Sequence, residues 1–309
     1  MSIIQGQLAD PSVQTVKAAT VTNETIFDAL NSMNLVTFNQ SSDAERAAIR
    51  PQFAAINDTL FTRVETALQS GAKIVVTQET GGLVLEEDKP QVLERTSTLA
   101  RHYAAYVEIS LWVFTRTPAM RYIHNQAVLV DPAGQVEWTY DKIYPVFGGE
   151  SLIVFSGSGP LPVVDSPYGR MSTAICNDLN FPALLRQTSL NHADILISPF
   201  NDDPSIDTQD PAEAAYRTIE NGFSLVRAAG QCRSMISDPA GRLRGSQDYF
   251  TTGTHVMLAT LPVHALKTVY SLVGDLFAYL CVAGLALCTV FALVQRKRTA
   301  AVKLQQTKA

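Results

Sequence analysis

The sequence has few of the residues that build disulfide frameworks or metal centres. Its 309 residues include four cysteines, and two of them, Cys281 and Cys288, lie in a long apolar segment. The remaining pair is too small for a disulfide framework and has no metal-ligand spacing. The five histidines are scattered and form no HxH or HxxxH pair. The sequence therefore predicts no metal site, and nothing in it implies an organic cofactor.

Positive charge is scarce over most of the chain. The formal net charge is −5, and no Lys/Arg-rich stretch occurs before the C-terminus. A nucleic-acid-binding surface needs clustered basic residues, so the sequence argues against a nucleic-acid partner. The chain also lacks internal repeats and low-complexity linkers. With 46% hydrophobic residues, it can bury one large core.

The N-terminus lacks the features of a signal peptide, whereas the C-terminus contains a long apolar run. The opening stretch MSIIQGQLADPSVQ has neither a basic n-region nor an apolar h-region. Residues 276–294 carry no charge, and as a helix they would extend ~28 Å, which is about the thickness of a hydrocarbon core. Basic residues follow directly. We predict a transmembrane helix over residues 271–295 and a basic cytoplasmic tail over residues 296–309.

The charge of the tail has a topological consequence. The positive-inside rule places residues 1–270 outside the cytoplasm, at the cell membrane. Yet nothing in the sequence would carry a large N-terminal domain across a membrane. Two resolutions are open: upstream membrane segments are missing from this chain, or the chain is tail-anchored with a cytoplasmic domain. We favour the first.

Strand-like and helix-like segments alternate over residues 1–270, a pattern typical of a single α/β domain. Apolar, β-branched runs predict strands at residues 15–22, 73–79 and 169–178. Helical spacing of apolar residues predicts helices at residues 53–70 and 89–104. A strand pair around an Asp-Pro-Ala-Gly turn is predicted to form a hairpin that ends near Lys142.

Three reactive side chains share one context, because Glu79, Lys142 and Cys176 each end or follow a predicted strand. In α/β sheets, reactive groups collect at the carboxyl ends of the strands. A thiolate can attack a carbonyl, and a carboxylate can take up and return its proton. An ammonium group, with backbone N–H groups near Asn177, can stabilise an oxyanion. Each residue alone also fits a structural role, as a core thiol, a rim carboxylate and a surface lysine. Their common position favours the catalytic interpretation.

The motifs around these residues resemble the nitrilase, or carbon–nitrogen hydrolase, superfamily, whose catalytic Glu, Lys and Cys occur in this order. Within it, the sequence is most similar to the catalytic domain of bacterial apolipoprotein N-acyltransferases. KIYPVFGGE, starting at Lys142, resembles that family's K-x-x-x-V-P-F-G-E stretch and places Glu150 at its second active-site glutamate. ICNDLNFPALLR resembles I-C-Y-E-x-x-F-P around Cys176. SPFNDD, which includes Asn201, resembles the S-N-D-A-W loop.

The sequence departs from that family in several places. Thr77 and Gln78 replace the aromatic-proline pair before the glutamate, and Asn177 and Asp178 replace the tyrosine and glutamate after the cysteine. Asp210 replaces a histidine, and the loop tryptophan is absent. The family's N-terminal multi-span membrane bundle is also absent. Without that bundle, we expect the chain to hold the chemistry but to be unable to bind a diacyl lipid alone.

The resemblance implies a four-layer α-β-β-α sandwich over residues 1–270, followed by one transmembrane helix. It also implies acyl transfer through a thioester on Cys176, with Glu79 as the base and Lys142 as the oxyanion donor. The acyl donor would be a phospholipid, and the acceptor the N-terminal cysteine of a lipoprotein. The expected supporting residues are Glu150, Asn177 and Asn201; Tyr144, Phe147 and Phe200 are expected either to line an acyl pocket or to pack the active-site loops.

Two other functions stay open from the sequence. A membrane-anchored amidase or nitrilase would use the same three residues and let water resolve the thioester, with a small amide as the substrate. A domain that has lost its membrane bundle could instead serve as a non-catalytic binding module. The presence of all three reactive residues argues against the second.

Overall fold

The computed structural model describes residues 14–35, 37–202, 209–251 and 253–306. The chain divides after Thr268 into two compact units. Within the described residues, the first unit contains thirteen strands and the second unit contains two helices.

The strands of the first unit form two sheets. They are β1 Thr15–Val21, β2 Ile74–Thr77, β3 Gly82–Leu85, β4 Tyr106–Phe114, β5 Ile123–Val130, β6 Val136–Asp141, β7 Val163–Ser166, β8 Gly169–Thr173, β9 Ile195–Asn201, β10 Ser224–Gly230, β11 Arg233–Ser237, β12 Leu243–Asp248 and β13 Val256–Pro262. The first sheet has the order β13-β1-β2-β4-β5-β6, and β3 pairs with β4 beyond the end of β2. The second sheet has the order β12-β11-β10-β9-β8-β7.

The described part of the first unit also contains six α-helices. They are α1 Thr25–Ser32, α2 Asp43–Gln69, α3 Lys89–Tyr103, α4 Gly149–Ile153, α5 Pro182–Leu190 and α6 Gln209–Asn221. The first sheet packs against α2 and α3, while α6 packs on β10 and β11 with α5 beside it. The predicted hairpin is confirmed as β5 and β6, and the predicted helix at residues 89–104 is confirmed as α3.

The alternation of side chains along β1 explains the layering. Val16 and Ala18 lie in the core between the two sheets, whereas Ala19 and Val21 lie in a second core beneath the helices. Successive side chains of a strand point to opposite faces, and where a strand is buried on both faces its residues are mostly apolar. The structure therefore confirms the four-layer α-β-β-α sandwich.

Helix α2 is longer than its sequence pattern predicts. It begins at Asp43 instead of Phe53, because a capping box forms at its start. The Ser42 hydroxyl accepts a hydrogen bond from the backbone N–H of Glu45, and the Glu45 carboxylate accepts one from the Ser42 N–H at 2.7 Å. These bonds satisfy donors that the first helical turn leaves free. The apolar spacing used for the prediction starts only where the helix reaches the sheet.

The second unit consists of α7 Val269–Val273 and α8 Leu276–Gln306. In the part of the chain that the structure describes, Leu276–Arg296 is the single helical segment long and apolar enough to cross a membrane, with a mean hydropathy of 2.4 and no burial. The helix continues to Gln306, beyond the predicted end of the span. An unburied apolar helix of this length fits the predicted transmembrane segment by length and composition.

Candidate active site

The three reactive residues predicted from the sequence lie together at one end of the space between the sheets. Glu79 lies just beyond β2, Lys142 directly follows β6, and Cys176 lies beyond β8. Their exposed fractions are 4%, 1% and 6%, respectively. Buried ionisable groups are rare unless they are paired, and their clustering marks a candidate functional site.

Backbone hydrogen bonds fix the positions of these residues. The Glu79 N–H donates to the Phe200 carbonyl at 3.2 Å, which ties the end of the first sheet to β9 of the second. The Lys142 N–H donates to the Asn125 carbonyl at 2.9 Å, and its own carbonyl accepts from Gly157 at 2.8 Å. The site is therefore attached to both sheets and not to a free loop.

Lys142 lies between two carboxylates. Its Nζ donates to Glu79 Oε1 at 2.7 Å and to Glu150 Oε2 at 2.9 Å. The amide of Asn125 donates to the same two side chains, at 2.7 Å to Glu79 and 2.9 Å to Glu150. The N–H of Val146 also donates to Glu150, at 2.7 Å. The structure thus places Glu150 on Lys142 and adds Asn125, which the sequence reasoning missed. A polar residue on the inward face of an apolar strand was the available signal.

Cys176 does not end its strand as predicted. Strand β8 stops at Thr173, and Cys176 starts a short 3₁₀ turn, Cys176–Asn180. Its φ of 45° lies in the left-handed region, which is strained for a residue with a Cβ and clusters at functional sites. The thiol donates to the carbonyl of Asn201 at 3.2 Å. This turn, and not the strand, sets the direction of the thiol.

Asp178 connects the cysteine turn to the segment that carries Lys142. The buried carboxylate accepts hydrogen bonds from the Tyr140 hydroxyl at 2.7 Å, the Tyr144 N–H at 2.8 Å and the Ile175 N–H at 3.2 Å. Burial raises the pKa of Asp178, although these three bonds oppose the shift. Asp178 is one of the departures from the acyltransferase motif, and here it is a positioning residue for the turn.

The remaining predicted residues have varied surroundings. The Tyr144 ring stacks on Phe181 with 3.6 Å between centroids, and the Asn177 amide donates to the Tyr144 carbonyl at 2.9 Å. Phe147 is 97% exposed, whereas Phe200 is buried beneath the guanidinium of Arg227. A role of Tyr144, Phe147 and Phe200 in binding an acyl chain stays a prediction.

Burial and charge set the protonation of the cluster. Burial raises the pKa of the Cys176 thiol well above its ordinary value, and the negative charge of Glu79 adds to the effect. Burial also raises the pKa of Glu79, against the opposing charge of Lys142. For Lys142, burial lowers the pKa, but the negative charges of Cys176 when it is ionised, of Glu79 and of Glu150 outweigh burial and raise the pKa well above its ordinary value. The thiol is therefore neutral at rest and the lysine is cationic.

Moving the thiol proton to Glu79 leaves the net charge of the site unchanged. A thiolate formed by loss of the proton to water would add a second unpaired negative charge to a buried site, which is costly. The arrangement thus supports a nucleophile that is activated by a neighbouring carboxylate. Among the described residues, no group of three or more His, Cys, Asp and Glu side chains is placed to hold a metal ion.

Comparison with known proteins gives a consistent set of relatives. A sequence profile of the carbon-nitrogen hydrolase family matches residues 19–269. The apolipoprotein N-acyltransferase of Geobacter metallireducens is 26% identical over 67% of this chain and 43% of its own length. The deaminated glutathione amidase of Yersinia enterocolitica is 23% identical over 52% of this chain and 63% of its own length. The chain therefore spans only part of the length of these curated relatives.

The fold has close counterparts among solved structures. An amidase of the nitrilase superfamily from Nesterenkonia AN1 superposes with a TM-score of 0.62. The match covers 82% of this chain and 93% of the amidase at 19% identity. At this identity, the similarity establishes the shared sandwich and leaves the substrate open.

Proposed function

The chain belongs to the carbon-nitrogen hydrolase family, and from this premise we propose that it is a cysteine-dependent enzyme that transfers acyl groups through a thioester. The observation that carries the proposal is the buried cluster in which Lys142 bridges Glu79 and Glu150 and its charge acts on the Cys176 thiol. This cluster supplies a nucleophile, a proton acceptor and a cation within one buried site.

In the first step, Cys176 Sγ attacks the carbonyl carbon of an ester while its proton passes to Glu79. Lys142 stabilises the negative charge that develops on the carbonyl oxygen. The carbon–oxygen bond of the ester then breaks, and Glu79 returns the proton to the departing alcohol. The product is an acyl group held as a thioester on Cys176.

In the second step, an amine attacks the thioester carbonyl and loses a proton to Glu79. The carbon–sulfur bond breaks, and Glu79 returns the proton to the Cys176 sulfur, so that the site is restored. Glu150 positions Lys142 through both steps. Since protons move only between the substrate, Glu79 and Cys176, the reaction balances without an outside oxidant or reductant.

We propose a phospholipid as the acyl donor and the N-terminal cysteine of a lipoprotein as the amine acceptor. The support is the similarity to apolipoprotein N-acyltransferases, together with the apolar helix α8, which would hold the enzyme at a lipid surface. We further propose that the first unit faces the outside of the cytoplasm, because basic residues follow the span.

A second candidate function is hydrolysis of a small amide. The similarity to a deaminated glutathione amidase favours it, and the same three side chains would carry it out. In that reaction an amine leaves in the first step, and water, not an amine, attacks the thioester. The two functions differ in what resolves the acyl enzyme.

The test is to incubate the full chain in detergent with a phospholipid labelled in its acyl chain and to detect the adduct by mass spectrometry. We expect an acyl adduct on Cys176, its absence in Cys176→Ala, and its retention in Cys232→Ala, because Cys232 is the other buried cysteine among the described residues. Addition of a lipopeptide amine should discharge the adduct. Label on Cys176→Ala would refute the nucleophile, and ammonia release from small amides without lipid would favour the amidase.

A further inference from the structure

A large apolar cavity opens beside the catalytic cluster. Its volume is about 650 Å³, within the roughly 300–1,000 Å³ typical of sites that bind small molecules. Its lining includes Leu35, Trp112, Met120, Leu152 and Ile153, together with Glu150. We call this space the Trp112 cavity.

The strand pairing places the Trp112 cavity next to the reactive groups. Trp112 on β4 lies directly opposite Asn125 on β5, so the two side chains share the face of the sheet that points to the site. The Asn125 amide bonds both Glu79 and Glu150, and Glu150 itself forms part of the cavity wall. One of the two residues whose carboxylates hold Lys142 therefore lines the cavity itself.

Trp112 supplies a polar group that nothing in the described structure satisfies. Its indole Nε1 is buried and has no hydrogen-bond partner among the described residues. A buried donor without a partner is costly, and native structures rarely keep one without a reason. The indole N–H thus points to a hydrogen-bond acceptor on a ligand. Met120 and Leu152, which line the Trp112 cavity, are 69% and 55% exposed. Their exposed apolar side chains favour an elongated apolar ligand.

We propose that the Trp112 cavity binds one acyl chain of the donor lipid and thereby selects its length. An ester or amide oxygen of the same molecule accepts a hydrogen bond from Trp112 Nε1. This inference rests on the proposed acyl-transfer function, because it assigns the chain that the thioester on Cys176 carries. Most of the residues that line the cavity are apolar, and apolar walls bind an alkyl chain by removing it from water.

Intrinsic fluorescence tests the binding independently of catalysis. The chain has two tryptophans; Trp138 is buried, and its indole donates to Glu108 at 3.1 Å. We expect nitroxide-labelled stearamide to quench the tryptophan fluorescence of the full-length Cys176→Ala protein. The quenching should be saturable, and unlabelled stearamide should reverse it. Adding the Trp112→Phe substitution to the Cys176→Ala protein should remove the saturable part of the quenching, because Trp138 is then the remaining tryptophan. Equal saturable quenching with and without Trp112 would overturn the proposal.

Narrowing the cavity tests chain selection. In Leu152→Trp, we expect the rate of thioester formation with a long-chain ester, relative to a short-chain ester, to fall at least tenfold. Each methylene group that the narrowed cavity excludes should lower this ratio of rates about fourfold. Leu243→Trp is the matched control, because Leu243 is 58% exposed on β12, outside the cavity. The ratio of the rates with long-chain and short-chain esters in Leu243→Trp should equal that of the unmodified protein.

The outcomes separate this inference from the proposed function. If no ester acylates Cys176 but saturable quenching of Trp112 persists, acyl transfer fails and the cavity still binds an apolar chain. If the thioester forms, quenching is absent and Leu152→Trp behaves as Leu243→Trp does, acyl transfer stands and the assignment of the cavity is refuted.

Discussion

At the scale of single residues, the chemistry depends on how the buried charges around Lys142 compensate one another. Two carboxylates contact one ammonium group, so the cluster carries a net negative charge when both are ionised. Removing one partner of a buried ion pair leaves an uncompensated charge, which costs more than the pair itself contributes. We therefore expect variants of this cluster to alter proton transfer as well as stability.

The first prediction concerns the acid side of the pH profile for thioester formation. Burial raises the pKa of Glu79, and the charge of Glu150 raises it further. Protonated Glu79 cannot take the thiol proton, so activity is lost as the pH falls through this raised pKa. We expect the acid limb to lie above the pH of an ordinary carboxyl, and Glu150→Gln to move it to lower pH. A limb at the ordinary value in both proteins would contradict the assignment of Glu79 as the base.

Glu108 is a buried carboxyl group that the proposed reaction does not use. It lies on β4 and contacts the Trp138 indole at 3.1 Å and the Thr173 hydroxyl at 3.2 Å. Thr173 also contacts the Ile197 carbonyl at 3.0 Å. The Thr173 hydroxyl is thus placed to donate to both the Glu108 carboxyl and the Ile197 carbonyl. Burial raises the pKa of Glu108 to about 8, although the hydrogen bonds from Thr173 and Trp138 oppose the shift.

This group makes the free energy of unfolding depend on pH. Between its ordinary pKa of 4.5 and about 8, the unfolded chain loses the proton and the folded chain keeps it, so stability falls as the pH rises. Glu108→Gln keeps both hydrogen bonds and removes the ionisation. We expect the variant to be more stable at about pH 9, by up to roughly 5 kcal/mol, and similar at low pH. Thermal denaturation across this range tests it, and parallel curves for both proteins would contradict it.

At the scale of elements, the ends of helices and strands decide where functional groups point. Cys176 lies beyond the end of β8, and its left-handed backbone conformation directs its thiol into the site. The capping box before α2 extends that helix by nearly three turns. Neither feature follows from the spacing of apolar residues. The capping box does have a local signature, Ser42 followed three residues later by Glu45.

The prediction at this scale is the cost of removing the helix cap. Ser42→Ala deletes the hydroxyl that accepts from the Glu45 N–H, and we expect a loss of about 1 kcal/mol in the free energy of unfolding. Thr59→Ala on the same helix is the control, because its exposed hydroxyl bonds only the carbonyl one turn earlier. Urea denaturation measures both variants. Equal stability of Ser42→Ala and the unmodified protein would show that the cap contributes nothing.

At the scale of the whole molecule, the two units have different physical characters. The first unit buries its apolar side chains in several cores. In the second unit, the side chains of Leu276–Arg296 are unburied. A contiguous apolar surface of this kind marks a membrane or protein contact. The membrane assignment of α8 is therefore tested by the behaviour of the chain with and without it.

We predict that the full chain partitions into the detergent-rich phase of a Triton X-114 separation. A chain that ends after Thr268 should fold, as judged by circular dichroism, and should remain in the aqueous phase, because α8 carries the unburied apolar surface. Retention of the shortened chain in the detergent phase would place a membrane-binding surface on the first unit. Recovery of the full chain in the aqueous phase would contradict membrane anchoring.

The amino-acid sequence by itself determined the features that depend on local pattern. The apolar, β-branched runs of β1 and β2, the hairpin of β5 and β6, and the uncharged run at residues 276–294 are readable because neighbouring residues alone establish them. The three reactive residue types and the four-layer sandwich were also predictable, the sandwich through motifs around Lys142 and Cys176. These are properties of short stretches.

Only the tertiary structure decided how those stretches meet. Asn125 lies far along the chain from Glu79, yet its amide holds that side chain together with Glu150, and Asp178 joins the cysteine turn to Tyr140. The same packing brings Trp112 beside Glu150 and opens a cavity there. Such contacts depend on the register between strands and on the packing of the two sheets. No local pattern contains this information, because the partners are separated by whole elements of the chain.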